Sequence, residues 1–90
     1  MELQEIRGEI DRVNGEILRL FVERLALTDR VAEYKRQNGL PVYCPEREAE
    51  ILKRVRDSAG EYADEAQTLF ETILAVSRKR QEKRLKEAEK

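Results

Sequence analysis

From Leu3 onward, apolar residues recur at Ile6, Ile10, Val13, Ile17, Leu20, Leu27 and Val31. These steps of three and four, with one polar interruption, lay a single stripe along a helix. The stripe predicts a first helix from about residue 2 to residue 37. Gly8 and Gly15 fall off it and no Pro interrupts it; each Gly costs roughly 1 kcal/mol relative to Ala, which a run of this length tolerates. Asn38-Gly39 then supplies a left-handed stop, and Pro41 opposes continuation, leaving a loop over residues 40–44. Pro45 suits the first turn of a second, short helix, which carries Ile51, Leu52 and Val55 at helical spacing and fades at Ser58-Ala59-Gly60. After Tyr62, Asp64 is the expected N-cap of a third helix. Ala66, Leu69, Phe70, Ile73 and Leu74 mark its inner face, and it runs nearly to Lys90. Residues 78–90 hold many cations and few apolar groups, as befits a solvated helix end at the negative pole of the macrodipole, where fraying is expected.

Length turns this pattern into an argument about assembly. A helix of about 36 residues is about 54 Å long, longer than a compact ninety-residue domain is wide. The two other helices of one chain cover only part of its stripe, and a second copy of the same helix is the natural cover for the rest. The expected fold is all-α, with residues 1–90 as one domain of three helices (long, short, long) in an intertwined homodimeric bundle. Hydrophobic residues at 40% and charged residues at 41% agree with long amphipathic helices that expose one charged face.

Charge and cysteine content narrow the chemistry. Lys plus Arg number 18 against 19 Asp plus Glu, a net charge of -1, which gives no general attraction to nucleic acid or to an anionic membrane. An anion has to be held by local geometry. With no His and a single Cys44 there is neither an internal disulfide nor a Cys/His metal site, so no metal is expected and a reducing, cytoplasmic setting fits. The start MELQEIRGEI lacks a basic stretch followed by an apolar run, and no segment reaches the roughly 18 apolar residues of a membrane span.

The polar residues that break the pattern carry the functional signal. Continuing the first stripe beyond Leu20 meets Arg24, and beyond Val31 meets Lys35, two cations eleven residues apart on one helix face. Charges in such a seam require acidic partners or an anionic ligand opposite them. The third helix breaks in the same way, its inner face running through Phe70 and Ile73 to Ser77 and Gln81. Arg7 flanks the first stripe, and Arg47 and Glu48 open the second helix. Each residue also has a plain structural reading: Arg24 as an interhelix salt bridge, Lys35 as a partner of the helix dipole, Arg7 and Arg47 as solvated charges. Glu48 can be first-turn chemistry, and Ser77 and Gln81 hydrogen bonds inside a bundle. Periodicity by itself stops at a helical dimer with a cationic pocket.

Taken in order, IRGEID around Arg7, ERLAL with Arg24, VAEYK ending in Lys35, PVYCPERE and SRKRQ span nearly the whole chain. In these five separated motifs the chain resembles the all-α chorismate mutase family. The resemblance implies rearrangement of chorismate to prephenate in phenylalanine and tyrosine biosynthesis, without cofactor, metal or covalent intermediate. It implies two sites in an intertwined homodimer, with Arg7 crossing from the neighbouring subunit. Arg7 and Arg24 would then hold the two carboxylates, helped by Ser77, while Lys35 and Gln81 face the ether oxygen. Glu48 would accept the ring hydroxyl and Arg47 would support the pocket wall. Cys44 stands where the family commonly has Asp; the family contact from this position runs through the backbone amide, so Cys44 is kept as a substrate-binding position. As a side chain, Cys44 is read as a small, partly buried group without chemistry of its own.

Two other readings use the same scaffold. One is a pyruvate lyase acting on isochorismate, against which Glu48 speaks, because it is placed for the hydroxyl of chorismate. The other is a non-catalytic helical dimer that docks an enzyme of the aromatic pathway, against which the joint presence of Lys35, Glu48 and Gln81 speaks. Association with another enzyme of that pathway is compatible with catalysis as well.

Overall fold

The computed structural model of the chain describes residues 2–89 and contains three helices, α1 (Leu3–Asn38), α2 (Pro45–Ala59) and α3 (Ala63–Ala88), with one 3-10 turn at Gly60–Tyr62 between the last two. No strand occurs among the described residues. Met1 and Lys90, the ends of the expected domain and third helix, lie outside them.

The stop of α1 follows from Gly39, whose φ of 63° and ψ of 33° place it in the left-handed region. Its N–H donates to the Arg36 carbonyl at 3.4 Å and the next N–H, of Leu40, donates to the Lys35 carbonyl at 2.9 Å. This paired cap ends the helix and turns the chain back along it. Pro45 then opens α2, with Glu46 and Glu48 in the first turn, where the helix dipole favours carboxylates. Cys44 occupies the N-cap position without making a side-chain cap, as its weak hydrogen-bonding capacity implies.

The start of α3 differs from the pattern's reading. Asp64 is not an N-cap: α3 begins at Ala63, Tyr62 holds the cap position, and Asp64 lies inside the first turn. The cause is Gly60, whose φ of 58° and ψ of -125° reverse the chain at once after α2. The 3-10 turn then leads into α3 without the extended residue that a side-chain cap needs. The Asp64 carboxylate accepts instead from Arg56 of α2 at 3.0 Å.

The packing corrects the apolar stripe as well. α3 lies against both α1 and α2, but it meets α1 along Phe21, Leu25, Thr28 and Ala32, of which Thr28 and Ala32 are buried. Leu27 and Val31, on the stripe, remain exposed. Spacing shows that a helix face is apolar and not what covers it; here the small Ala32 and the self-bonded Thr28, whose hydroxyl donates to the Arg24 carbonyl at 3.0 Å, let the two helices approach. On α3, Leu74 is buried and Ala66, Phe70 and Ile73 are half-buried, whereas Leu69 is not inward-facing and stays 51% exposed.

Ala32 and Leu74 are the only buried hydrophobic residues among those described. Every described residue up to Leu20 is exposed, with Leu3 at 57% and Ile17 at 53%. The protomer is correspondingly elongated, 53 × 27 × 14 Å. Its radius of gyration of 16.3 Å exceeds the roughly 12 Å of a compact chain of this length. An apolar groove of about 650 Å³ runs between α1 and α3, walled by Ile17, Leu20, Phe21, Leu69, Phe70 and Val76. No helix among the described residues is long and apolar enough to cross a membrane.

One ion pair fixes α3 on α1. Arg80 donates from Nε and Nη2 to the two oxygens of Asp29 at 2.7 and 2.8 Å, a two-point grip with defined geometry. The Arg80 hydrogen bond holds the Asp29 carboxyl below its usual range, against an opposing effect of burial, with the charges of Arg80 and Arg84 adding to it. A depressed carboxylate pKa stabilises the fold above the unfolded value of about 4, and that contribution is lost as pH falls through the lowered value. Thermal melts between neutral pH and pH ~3 are therefore expected to show a smaller acid-induced loss of stability in Asp29→Asn than in the wild type. Parallel losses in the two proteins would assign the acid sensitivity to other carboxylates.

Candidate active site

The cap at Gly39 is also what builds the site. By returning the chain along α1, it brings the Val42 carbonyl to the Lys35 ammonium, which donates to it at 2.7 Å. Lys35 donates a second hydrogen bond, at 3.0 Å, to Oε1 of Gln81 on α3. About one turn nearer the N-terminus of α3 than Gln81, Ser77 donates to the Ile73 carbonyl at 2.8 Å and accepts from Nη1 of Arg24 at 2.5 Å. Ser77 and Gln81 are both buried, at 5% and 8% exposure. The polar interruptions of the two apolar faces therefore meet each other across the α1–α3 contact.

These groups open onto a cavity of about 280 Å³ whose lining includes Arg24, Lys35, Cys44, Arg47, Glu48, Ser77 and Gln81. Seven of the eight residues singled out in the sequence thus share one cavity. Arg7 does not: it lies on the exposed first half of α1 and is absent from the lining. Apolar walls come from Leu27, Val31, Val42, Ile51 and Leu74. Leu27 and Val31 thereby acquire a use, as walls of the cavity and not as core.

Electrostatically the cavity is short of negative charge. Arg24, Lys35 and Arg47 stand against the single carboxylate of Glu48. Burial, and then repulsion from Arg47, lower the pKa of the Arg24 guanidinium, so its charge is held at a cost that an anionic ligand would relieve. Arg47 leans outward to Glu50 at 2.7 Å. Glu48 is paired with Arg78 of α3, whose guanidinium also sits 5.5 Å from the centre of the Tyr43 ring. The helical pattern did not mark Arg78; the available signal was a cation directly after Ser77 in SRKRQ, thirty residues from a carboxylate in the second helix's first turn. The Val42 carbonyl was also invisible, because a backbone acceptor leaves no trace in residue type.

A small cavity with apolar walls, several fixed cations and two convergent polar pairs defines a helical site for a compact organic anion. No Cys/His/carboxylate cluster suited to a metal ion occurs among the described residues. The chain belongs to the type II chorismate mutase family, whose sequence profile matches residues 6–82. It is 50% identical over 54 residues to a bifunctional chorismate mutase/prephenate dehydratase of Aquifex aeolicus, covering 60% of this chain and 15% of that one. It is 44% identical over 61 residues to a chorismate mutase of Methanocaldococcus jannaschii, covering 68% and 62% of the two chains. A 4-amino-4-deoxychorismate mutase of Streptomyces venezuelae is 37% identical over 62 residues, covering 69% and 56%. The chain spans less than two thirds of the length of each of these relatives. No solved structure matches it significantly.

Proposed function

We propose that the ninety residues form one catalytic unit, a homodimeric chorismate mutase that converts chorismate to prephenate. The observation that carries this reading is the pairing of Lys35 with Gln81 in the cavity that also holds the Arg24–Ser77 pair. An ammonium has three N–H donors; Val42 and Gln81 take two of them, which leaves one. The Gln81 amide uses its oxygen as acceptor for Lys35, so its NH2 group remains to donate. Two donors therefore converge on one side of the cavity, suited to an oxygen that gains negative charge.

The reaction needs that arrangement and little else. The ether C–O bond breaks as a new C–C bond forms, with no proton transferred and no nucleophile involved. Arg24, assisted by Ser77, holds one carboxylate, and Arg7 of the partner subunit holds the other, fixing the enolpyruvyl arm over the ring. Charge collects on the ether oxygen as its bond stretches, where Lys35 and Gln81 stabilise the transition state more than the substrate. Arg47 adds positive potential at the wall, and the ring hydroxyl is accepted by Glu48 beside the Cys44 backbone.

Two features support the dimer: the small protomer core, and a first half of α1 that carries Arg7 on an amphipathic segment without cover. A second copy that covers this segment brings its own Arg7 toward the groove between α1 and α3, which Arg24 also borders. The lone Cys44 thiol agrees with work in the reducing cytoplasm. The fused Aquifex aeolicus relative supports association with another enzyme of the pathway. The direct test is loss of the ring-diene absorbance of chorismate, with prephenate confirmed by acid conversion to phenylpyruvate. Rapid conversion is expected; a folded dimer that leaves chorismate intact would overturn the reading.

A further inference from the structure

Glu48 stands in the cavity wall with a partner that the wall does not contain. Arg78 is absent from the cavity lining and donates from Nη1 to Oε1 of Glu48, linking α3 to α2. The same guanidinium lies 5.5 Å from the Tyr43 ring centre, in the loop between α1 and α2, so the carboxylate and the aromatic face both hold it. The side chains of Glu48 and Arg78 are 20% and 34% exposed, shielded more than the chain's i,i+4 surface pairs. The second oxygen, Oε2 of Glu48, accepts no hydrogen bond among the described residues.

We infer that Arg78 is a positioning residue: by occupying one oxygen of Glu48 it presents the other to the substrate ring and makes the cavity select a hydroxyl over an ammonium group at that ring carbon. The inference rests on the mutase reading. A hydroxyl asks only for one acceptor, which Oε2 supplies. An ammonium group asks for net negative charge, and a carboxylate already matched by a guanidinium offers little of it. Two cations sharing one carboxylate also repel each other. At a spacing set by the width of one carboxylate, in a partly shielded site, that repulsion corresponds to roughly tenfold or more in binding. The probe pair is chorismate and 4-amino-4-deoxychorismate, the second being the compound in the name of one relative of this chain; the two differ in this one substituent.

The experiment measures kcat and KM for both compounds with the wild type, Arg78→Met and Arg78→Lys, alongside helicity and oligomeric state. The wild type is expected to prefer chorismate. Arg78→Met should shift the kcat/KM ratio toward the amino compound roughly tenfold, mainly through KM, and Arg78→Lys should restore most of the wild-type ratio. Should Arg78→Met fail to fold, Arg78→Gln removes the charge while keeping a donor and must move the ratio in the same direction. An unchanged ratio in a folded, neutral variant overturns the assignment, as does a lysine variant indistinguishable from the methionine one. If the wild type converts neither compound, the mutase reading fails separately, and calorimetric dissociation constants for the same two compounds decide whether Arg78 sets the discrimination.

Discussion

Replacing Lys35 with Ala is expected to lower kcat for chorismate by roughly 10²–10³-fold, the usual cost of removing a donor aimed at a developing oxyanion. Lys35 makes two hydrogen bonds, to the Val42 carbonyl and to Oε1 of Gln81, so its loss does more than delete one charge. It releases the Gln81 amide from its orientation and the loop from α1, so under the proposed mechanism both donors to the ether oxygen fail together. Ser77→Ala is the contrast. Ser77 supports Arg24 through one hydrogen bond, at 2.5 Å, and without it the guanidinium still reaches a carboxylate, so a much smaller effect, expressed chiefly in KM, is expected. Steady-state kinetics on the two variants, with circular dichroism to verify folding, make the comparison. Equal and mild losses would remove Lys35 and Gln81 from the chemical step.

The second large effect concerns the ownership of the site. Arg7 is outside the cavity that holds the other seven residues, and it lies on the exposed half of α1. Arg7→Ala and Arg24→Ala are each expected to abolish most activity. After subunit exchange between the two inactive proteins, activity should return to about one quarter of the wild-type level per subunit, since half of the dimers are mixed and each contains one intact site of two. Exchange verified by mass spectrometry without any recovery would mean that each site belongs to a single chain, with Arg7 acting within its own subunit.

Much of this was legible in the sequence, for reasons that can be named. The ends of α1 and α2 were marked by Gly39 and Pro45, residues whose backbone restrictions act locally. Arg24, Lys35, Ser77 and Gln81 were visible because each interrupts an apolar period, and the structure brings those interruptions together in two pairs. What stayed hidden depends on long-range geometry. Leu27 and Val31 fit a core stripe but line a cavity, because periodicity gives the direction of a side chain and not its neighbour. Asp64 has the chemistry of a cap, yet the turn at Gly60 started the helix two residues too early for it. The Arg78–Glu48 pair joins residues thirty apart and breaks no pattern at either position.

Ala32 and Leu74, as the only buried hydrophobic residues described in the protomer, have a consequence for how such a protein can vary. With so little interior of its own, the chain is expected to lose assembly, folding and activity in one step when the interface of the proposed dimer is damaged. In the proposed dimer, residues 2–20 are then under two kinds of selection at once. In that dimer they would complete the interior of a second molecule and carry the arginine that completes its site, so a change there would be felt in a neighbour's chemistry before it is felt in the chain that bears it.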